Sequence, residues 1–85
     1  MNDIFKLLDE HAVRMKGLAI IISKAPHGQW RVQVNWTDAS KRGGDMIIAY
    51  AEEPYREEAF KAAYERLKKW IDEHEEEINE RLRSM

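Results

Sequence analysis

Residues 30 to 36 read Trp-Arg-Val-Gln-Val-Asn-Trp, a strict alternation of apolar and polar side chains. Successive side chains of a strand point to opposite faces, so this pattern predicts a strand with a buried Trp/Val face and a polar face in water. We assign Trp30 and Trp36 to the core, because both are in phase with the buried face. The domain is therefore expected to contain a sheet that is covered on its Trp/Val face.

Two further strands are predicted on either side of this segment. Residues 18–23 are short, β-branched and almost wholly apolar, which is typical of a central strand that is covered on at least one face. A Pro/Gly turn leads to the alternating strand, predicted over 29–37, and a hydrophilic connection leads to the third strand, predicted over 45–51. Short connections of this kind favour an antiparallel meander.

Helices are predicted before and after the strands. The first spans 3–16, with Asn2 or Asp3 as its cap and Gly17 as its stop. The second spans 54–83, where apolar residues recur at steps of three and four. Like charges weaken it near 72–74, and we allow for a break there. The order α-β-β-β-α predicts a single α+β domain over 1–85, a three-stranded antiparallel sheet with one short and one long helix on one face.

Composition and charge limit the possible classes of function. The chain has 85 residues and a net charge of −2. It has no cysteine, which excludes disulfides and thiolate metal sites and fits a cytoplasmic location. Residues 1–50 hold seven Lys/Arg against five acids, and residues 51–85 hold seven against eleven. No apolar run suits a membrane span or a signal peptide. We therefore expect no membrane association, and the acidic balance disfavours nucleic-acid binding.

The sequence shows no motif for catalysis or for a cofactor. His11 and His74 lie inside apolar stripes, without the paired ligands that metal sites show. Gly43-Gly44 precedes a strand and not a helix, so it does not form a phosphate-binding loop. We expect no enzymatic activity, no cofactor and no metal. If the two helices are neighbours, His11 and His74 could share a proton and make the fold sensitive to pH.

The second half of the long helix suggests a surface for a partner protein. Ile78 and Leu82 continue the apolar stripe beyond the part that a small domain can cover, so we expect them to contact a target protein or a second copy. The neighbouring carboxylates would complement a basic site on the partner. The predicted contact residues are Asp72, Glu73, Glu75, Glu76, Glu77, Ile78, Glu80 and Leu82.

Two alternative functions stay open. A nucleic-acid-binding domain would use the basic hairpin loop and the polar sheet face, with Arg31, Lys41 and Arg42 as phosphate contacts. A homodimeric structural module would instead use the C-terminal helix for assembly alone. The first alternative predicts an affinity that falls steeply with salt, and the second predicts a mass that depends on protein concentration.

The order of elements resembles that of the double-stranded-RNA-binding domain. In that family the second helix begins with a Lys-Lys-x-Ala-Lys pattern that contacts phosphates. The matching stretch is Arg56-Glu-Glu-Ala-Phe60, where the alanine matches, Arg56 could replace the first lysine, and Glu57 and Phe60 occupy the other two lysine positions.

The size, the Met1-Asn-Asp3 start, the element order and the acidic segment are similar to those of small phage-encoded inhibitors, including anti-CRISPR proteins. Several of these proteins place carboxylates in a nucleic-acid groove of their target. This resemblance implies an inhibitor from a phage or mobile element, which presents its acidic helix to a basic, nucleic-acid-binding site.

Overall fold

The computed structural model describes residues 3–37 and 45–83, and the side chains of 3–37 and 46–80 among them. An antiparallel sheet with strand order β1-β2-β3 has helices before and after it, and this confirms the predicted α+β class. The elements are α1 (Ile4–His11), β1 (Leu18–Lys24), β2 (Trp30–Thr37), β3 (Asp45–Glu53), α2 (Arg56–Glu73) and α3 (Glu75–Arg83).

Helix α1 is shorter than the sequence predicted. The Asp3 carboxylate caps it by accepting hydrogen bonds from the amides of Phe5, at 2.9 Å, and Lys6, at 3.3 Å. The helix ends at His11, and the chain then turns so that Met15 becomes fully buried in the core. Gly17 completes the turn with a φ of +89°, a backbone conformation that residues other than glycine rarely adopt.

Strand β2 is the central strand, and its Trp/Val face lies in the core as predicted. Val32 and Val34 are fully buried, and Trp36 is 4 % exposed, with its indole Nε1 donating to the Lys16 carbonyl at 3.1 Å. Trp30 is only half-buried, and Lys24 Nζ lies 5.3 Å from its ring centroid. Helix α2 packs over β2 and β3, and its buried residues are Ala59, Ala63, Leu67 and Ile71.

Strand β1 lies at an edge of the sheet, so the prediction of a central strand was wrong. Among the strands of residues 3–37 and 45–83 it pairs with β2 alone, in a register that runs from Leu18 opposite Trp36 to Lys24 opposite Trp30. Ile21 and Ile22, which point to opposite faces, remain 47 % and 40 % exposed. A run of apolar residues shows that a strand can be buried, but it does not set how many neighbours the strand obtains.

The long C-terminal helix is interrupted at His74, inside the region where the sequence allowed for a break. His74 has φ −116° and ψ 19°, which takes the backbone out of the helical conformation. The His74 amide donates hydrogen bonds to the carbonyls of Trp70 and Ile71, and the His74 ring stacks on Trp70 with ring centroids 4.1 Å apart. Helix α3 then begins, and Ile78 is fully buried in the core of its own chain. The expectation that Ile78 needs a partner to cover it was therefore wrong.

Candidate interaction surfaces

The face of the sheet opposite α2 is the first candidate surface, and we call it the open face. The strand register arranges it in three rows across β1, β2 and β3. These rows are Ala19-Asn35-Ile47, Ile21-Gln33-Tyr50 and Ser23-Arg31-Glu52. Only the β2 residues of this face were identified from the alternating pattern, because their neighbours depend on the register between strands.

The open face combines exposed apolar side chains with a few polar ones. Ile47 is 58 % exposed, Ile21 47 % and Tyr50 37 %. Between them on β2, Gln33 Nε2 donates a hydrogen bond to Asn35 Oδ1 at 3.0 Å. Apolar and aromatic groups among a few oriented polar groups are typical of a protein-binding surface and unlike an ordinary solvated sheet face.

The polar end of the open face is organised around Glu52. Its carboxylate accepts a hydrogen bond from the Tyr50 hydroxyl at 3.0 Å, and His27 Nε2 lies 2.9 Å from its other oxygen. Partial burial and this bond to Glu52 raise the pKa of Tyr50 above its usual value. Tyr50 is therefore a neutral hydrogen-bonding group at physiological pH, held in place by a carboxylate.

Of the three predicted phosphate contacts, the described residues include Arg31. Arg31 lies directly opposite Glu52 in the strand register, and its Nε is buried without a hydrogen-bond partner among the described residues. The negative charge of Glu52 weakens the attraction of Arg31 for a phosphate. Lys41 and Arg42, the other two predicted contacts, lie outside the described residues.

The second candidate surface surrounds the bend between α2 and α3, and part of it is used within the chain. Arg14 forms a bidentate ion pair with Glu75, with Nη2 3.0 Å from Oε2, and also donates to Asn79 Oδ1 at 3.2 Å. The hydrogen bond from Arg14 lowers the pKa of Glu75, and the same bond raises the pKa of Arg14. The ion pair ties α3 to the segment after α1, so Glu75 is not freely available to a partner.

The other predicted carboxylates differ in their surroundings. Asp72, Glu73, Glu76 and Glu80 are exposed, whereas Glu77 is half-buried. Glu73 lies 3.9 Å from Lys69 Nζ, and Asp72 and Glu76 form no salt bridge with a described residue. The side chain of Leu82 lies outside the described residues. Asp72, Glu73, Glu76 and Glu80 therefore remain as an exposed acidic patch at the bend.

The three histidines have separate partners. His11 Nδ1 accepts from Arg14 Nε at 3.1 Å, His74 Nδ1 lies 2.8 Å from the Trp70 carbonyl, and His27 contacts Glu52. Within residues 3–37 and 45–83, no group of three or more His, Asp or Glu is arranged to hold a metal ion. The sequence carried no signal for the role of Arg14, because its acidic partner is 61 residues away.

No protein-family model, curated protein or solved structure matches this chain. The resemblances to the double-stranded-RNA-binding domain and to phage inhibitors therefore stay predictions. No helix among the described residues has the length and apolar character needed to cross a bilayer. The open face and the acidic patch are the two candidate interaction surfaces of the described residues.

Proposed function

We propose that this chain is a non-enzymatic protein-interaction module that contacts its partner through the open face. The observation that carries the proposal is the exposure of Ile21, Ile47 and Tyr50 on the side of the sheet opposite α2. Removing apolar surface from water stabilises a complex by roughly 25 cal/mol per Å², before the cost of association. A partner that covers these three residues would gain this energy from a sheet that is already formed.

The polar groups of the open face would supply specificity. Tyrosine, the residue type at position 50, is enriched at interface centres, because its ring packs against apolar groups and its hydroxyl forms hydrogen bonds. Here the hydroxyl is already fixed by Glu52, so little side-chain entropy is lost when a partner binds. The Gln33–Asn35 pair offers donors and acceptors that a partner must match, since leaving them buried and unpaired is costly.

The test is a comparison of two variants in affinity capture from the native cell. Ile47→Lys places a charge in the open face, and Val13→Lys places the same charge at an apolar residue between α1 and β1 that is 80 % exposed. We expect proteins captured by the wild type to be lost with Ile47→Lys and kept with Val13→Lys. Equal recovery by both variants would show that the open face does not bind the partner.

A second candidate function uses the acidic patch to bind a basic site on a target protein. It is favoured by the exposure of Asp72 and Glu76 without a salt bridge to a described residue. Charge complementarity of this kind speeds association and weakens with salt. The similarity to phage inhibitors makes a nucleic-acid-binding protein the expected target, in the cytoplasm.

Charge reversal separates this second function from the first. Asp72→Lys combined with Glu76→Lys should abolish capture of such a target, and raising the salt concentration should weaken capture by the wild type. Glu58→Lys is the matched control, because it is an exposed acid about 20 Å away along the helix at 1.5 Å per residue. Salt-independent capture that survives the double charge reversal would rule out the acidic patch.

Nucleic-acid binding remains the alternative prediction. It would require Arg31, which lies opposite Glu52, together with Lys41 and Arg42. Fluorescence anisotropy with labelled double-stranded RNA at low salt tests it directly. We expect no binding, and an affinity that is lost with Arg31→Glu and with added salt would instead support the alternative.

A further inference from the structure

Strand β1 presents an edge without the usual protection against pairing. Between Leu18 and Ser23 it contains no charge, no proline and no register shift, and Lys24 at its end is its only charged residue. Within residues 3–37 and 45–83, no strand other than β2 pairs with it. Exposed edge strands that are long, regular and apolar are templates for pairing with another strand, because their outer amides and carbonyls are unpaired.

The opposite edge of the sheet is protected in several ways. Strand β3 contains a register shift opposite Val34 and Asn35, which disturbs the ladder. It begins with Asp45 and ends with Glu52 and Glu53, and the Arg66 side chain of α2 donates a hydrogen bond to the Tyr50 carbonyl. These features oppose strand addition at β3, so the two edges are not equivalent.

We propose that β1 binds β1 of a second copy of this chain, antiparallel and centred on Ile21. The two sheets would join into one sheet of six strands. This inference goes beyond the proposed function, because it names a partner for the edge of the sheet and requires nothing to bind the open face.

The sequence of β1 is complementary to itself in this register. Ile21 is the middle residue of the strand, so each of the seven residues lies opposite a residue of the second copy when Ile21 faces its own copy. The Leu18 amide already donates a hydrogen bond to the Met15 carbonyl at 3.4 Å, so the pairing rests on the residues that follow it. Ile20 then faces Ile22, Ala19 faces Ser23, and Leu18 faces Lys24, so no like charges lie directly opposite each other. Ile21 and Ile22, each exposed by 40 % or more on opposite faces, would both become covered.

The symmetry of the pairing also suits the fold. Antiparallel strands centred on one residue are related by a two-fold axis perpendicular to the sheet, which gives an isologous interface. Both copies would then hold α2 on the same side, and their open faces would form one continuous surface. Two seven-residue strands that pair edge to edge bury less surface than the roughly 1,200–2,000 Å² that stable complexes bury. We therefore expect a dissociation constant of roughly 10–100 µM.

Sedimentation equilibrium over a range of protein concentrations tests the proposal. The wild type should be dimeric at concentrations well above about 100 µM. Ile21→Lys should weaken the dimer at least about tenfold, because it places like charges opposite each other across the two-fold axis. Ile47→Lys is the matched control on the same face, on β3, and should leave the dimer unchanged. Urea unfolding of each variant checks that it is folded.

A mixing experiment tests the register itself. At a protein concentration of about 100 µM, Ile21→Lys and Ile21→Glu should each be mostly monomeric. An equimolar mixture should form a heterodimer, because position 21 of one copy lies opposite position 21 of the other. A wild type that stays monomeric at all concentrations overturns the proposal. So does a dimer that survives Ile21→Lys, a dimer that Ile47→Lys disrupts equally, or a mixture that does not associate.

Discussion

Helix α3 and strand β1 both carry isoleucines at the periphery of this domain, and the fold treats them differently. Ile78 in α3 is fully buried, whereas Ile21 and Ile22 in β1 are 47 % and 40 % exposed. The bend at His74 and the Arg14–Glu75 ion pair hold α3 against the body of the domain. Within the part of the chain that the structure describes, strand β1 has a neighbouring strand on one side only.

This difference separates residues that stabilise the domain from residues available to another molecule. Burial of Ile78 contributes to the free energy of folding of the single chain. The exposed parts of Ile21 and Ile22 contribute little to that free energy and would become useful only on association. Ile78 of α3 is therefore part of the core, whereas the edge of β1 is an apolar segment that lacks cover among the described residues.

The largest expected effect is at Ile78. Ile78→Ala should lower the free energy of unfolding by about 3 kcal/mol, because it removes buried methyl groups and leaves a cavity. Ile47→Ala is the control at a residue that is 58 % exposed, and it should change stability by less than about 0.5 kcal/mol. Urea unfolding measures both. Similar losses for the two variants would contradict the burial of Ile78 in its own chain.

A smaller effect is expected for the ion pair that holds α3. The pKa of Glu75 is lowered in the folded state, so its pairing with Arg14 adds stability above the ordinary value of 4.5, and this is lost as pH falls through the folded pKa. Glu75→Gln should destabilise the protein less than Ile78→Ala does, because the Glu75 side chain is 45 % exposed and solvent screens the pair.

Urea unfolding at about pH 7 and about pH 3 measures this effect. The difference in stability between the wild type and Glu75→Gln should be present at the higher pH and should shrink at the lower one. Glu65→Gln, an exposed change on α2, serves as the control. A difference that is the same at both pH values would show that the charge of Glu75 does not hold α3.

The smallest effect on stability is expected at the edge of β1. Ile21→Lys should change the free energy of unfolding by less than about 0.5 kcal/mol when measured on dilute, monomeric protein, because the residue is half-exposed. The same variant should nevertheless reduce self-association strongly. If it instead unfolds the dilute protein, Ile21 belongs to the core of the single chain, and the contrast with Ile78 disappears.

Local patterns predicted local features well. The alternation from Trp30 to Trp36 identified strand β2 and its buried face, because successive side chains of any strand point to opposite sides. The apolar spacing over 54–83 predicted a helix with one apolar stripe, and the buried residues Leu67 and Ile71 lie on that stripe in α2. These predictions needed no knowledge of the neighbouring elements.

Features that depend on distant parts of the chain were not predictable. The edge position of β1 follows from strand order, which its apolar composition did not reveal. The ion pair of Arg14 with Glu75 joins residues 61 positions apart, and neither residue belongs to a recognisable motif. The rows of the open face depend on the register of three strands, including the shift opposite Val34 and Asn35.

The sequence by itself determined the order of elements and the buried face of the central strand, because these depend on the periodicity of neighbouring residues. Only the tertiary structure decided that Ile78 is covered and that Ile21 is not. The reason is that burial is the sum of contacts from remote segments, and a side chain's own apolar character does not specify where those segments lie.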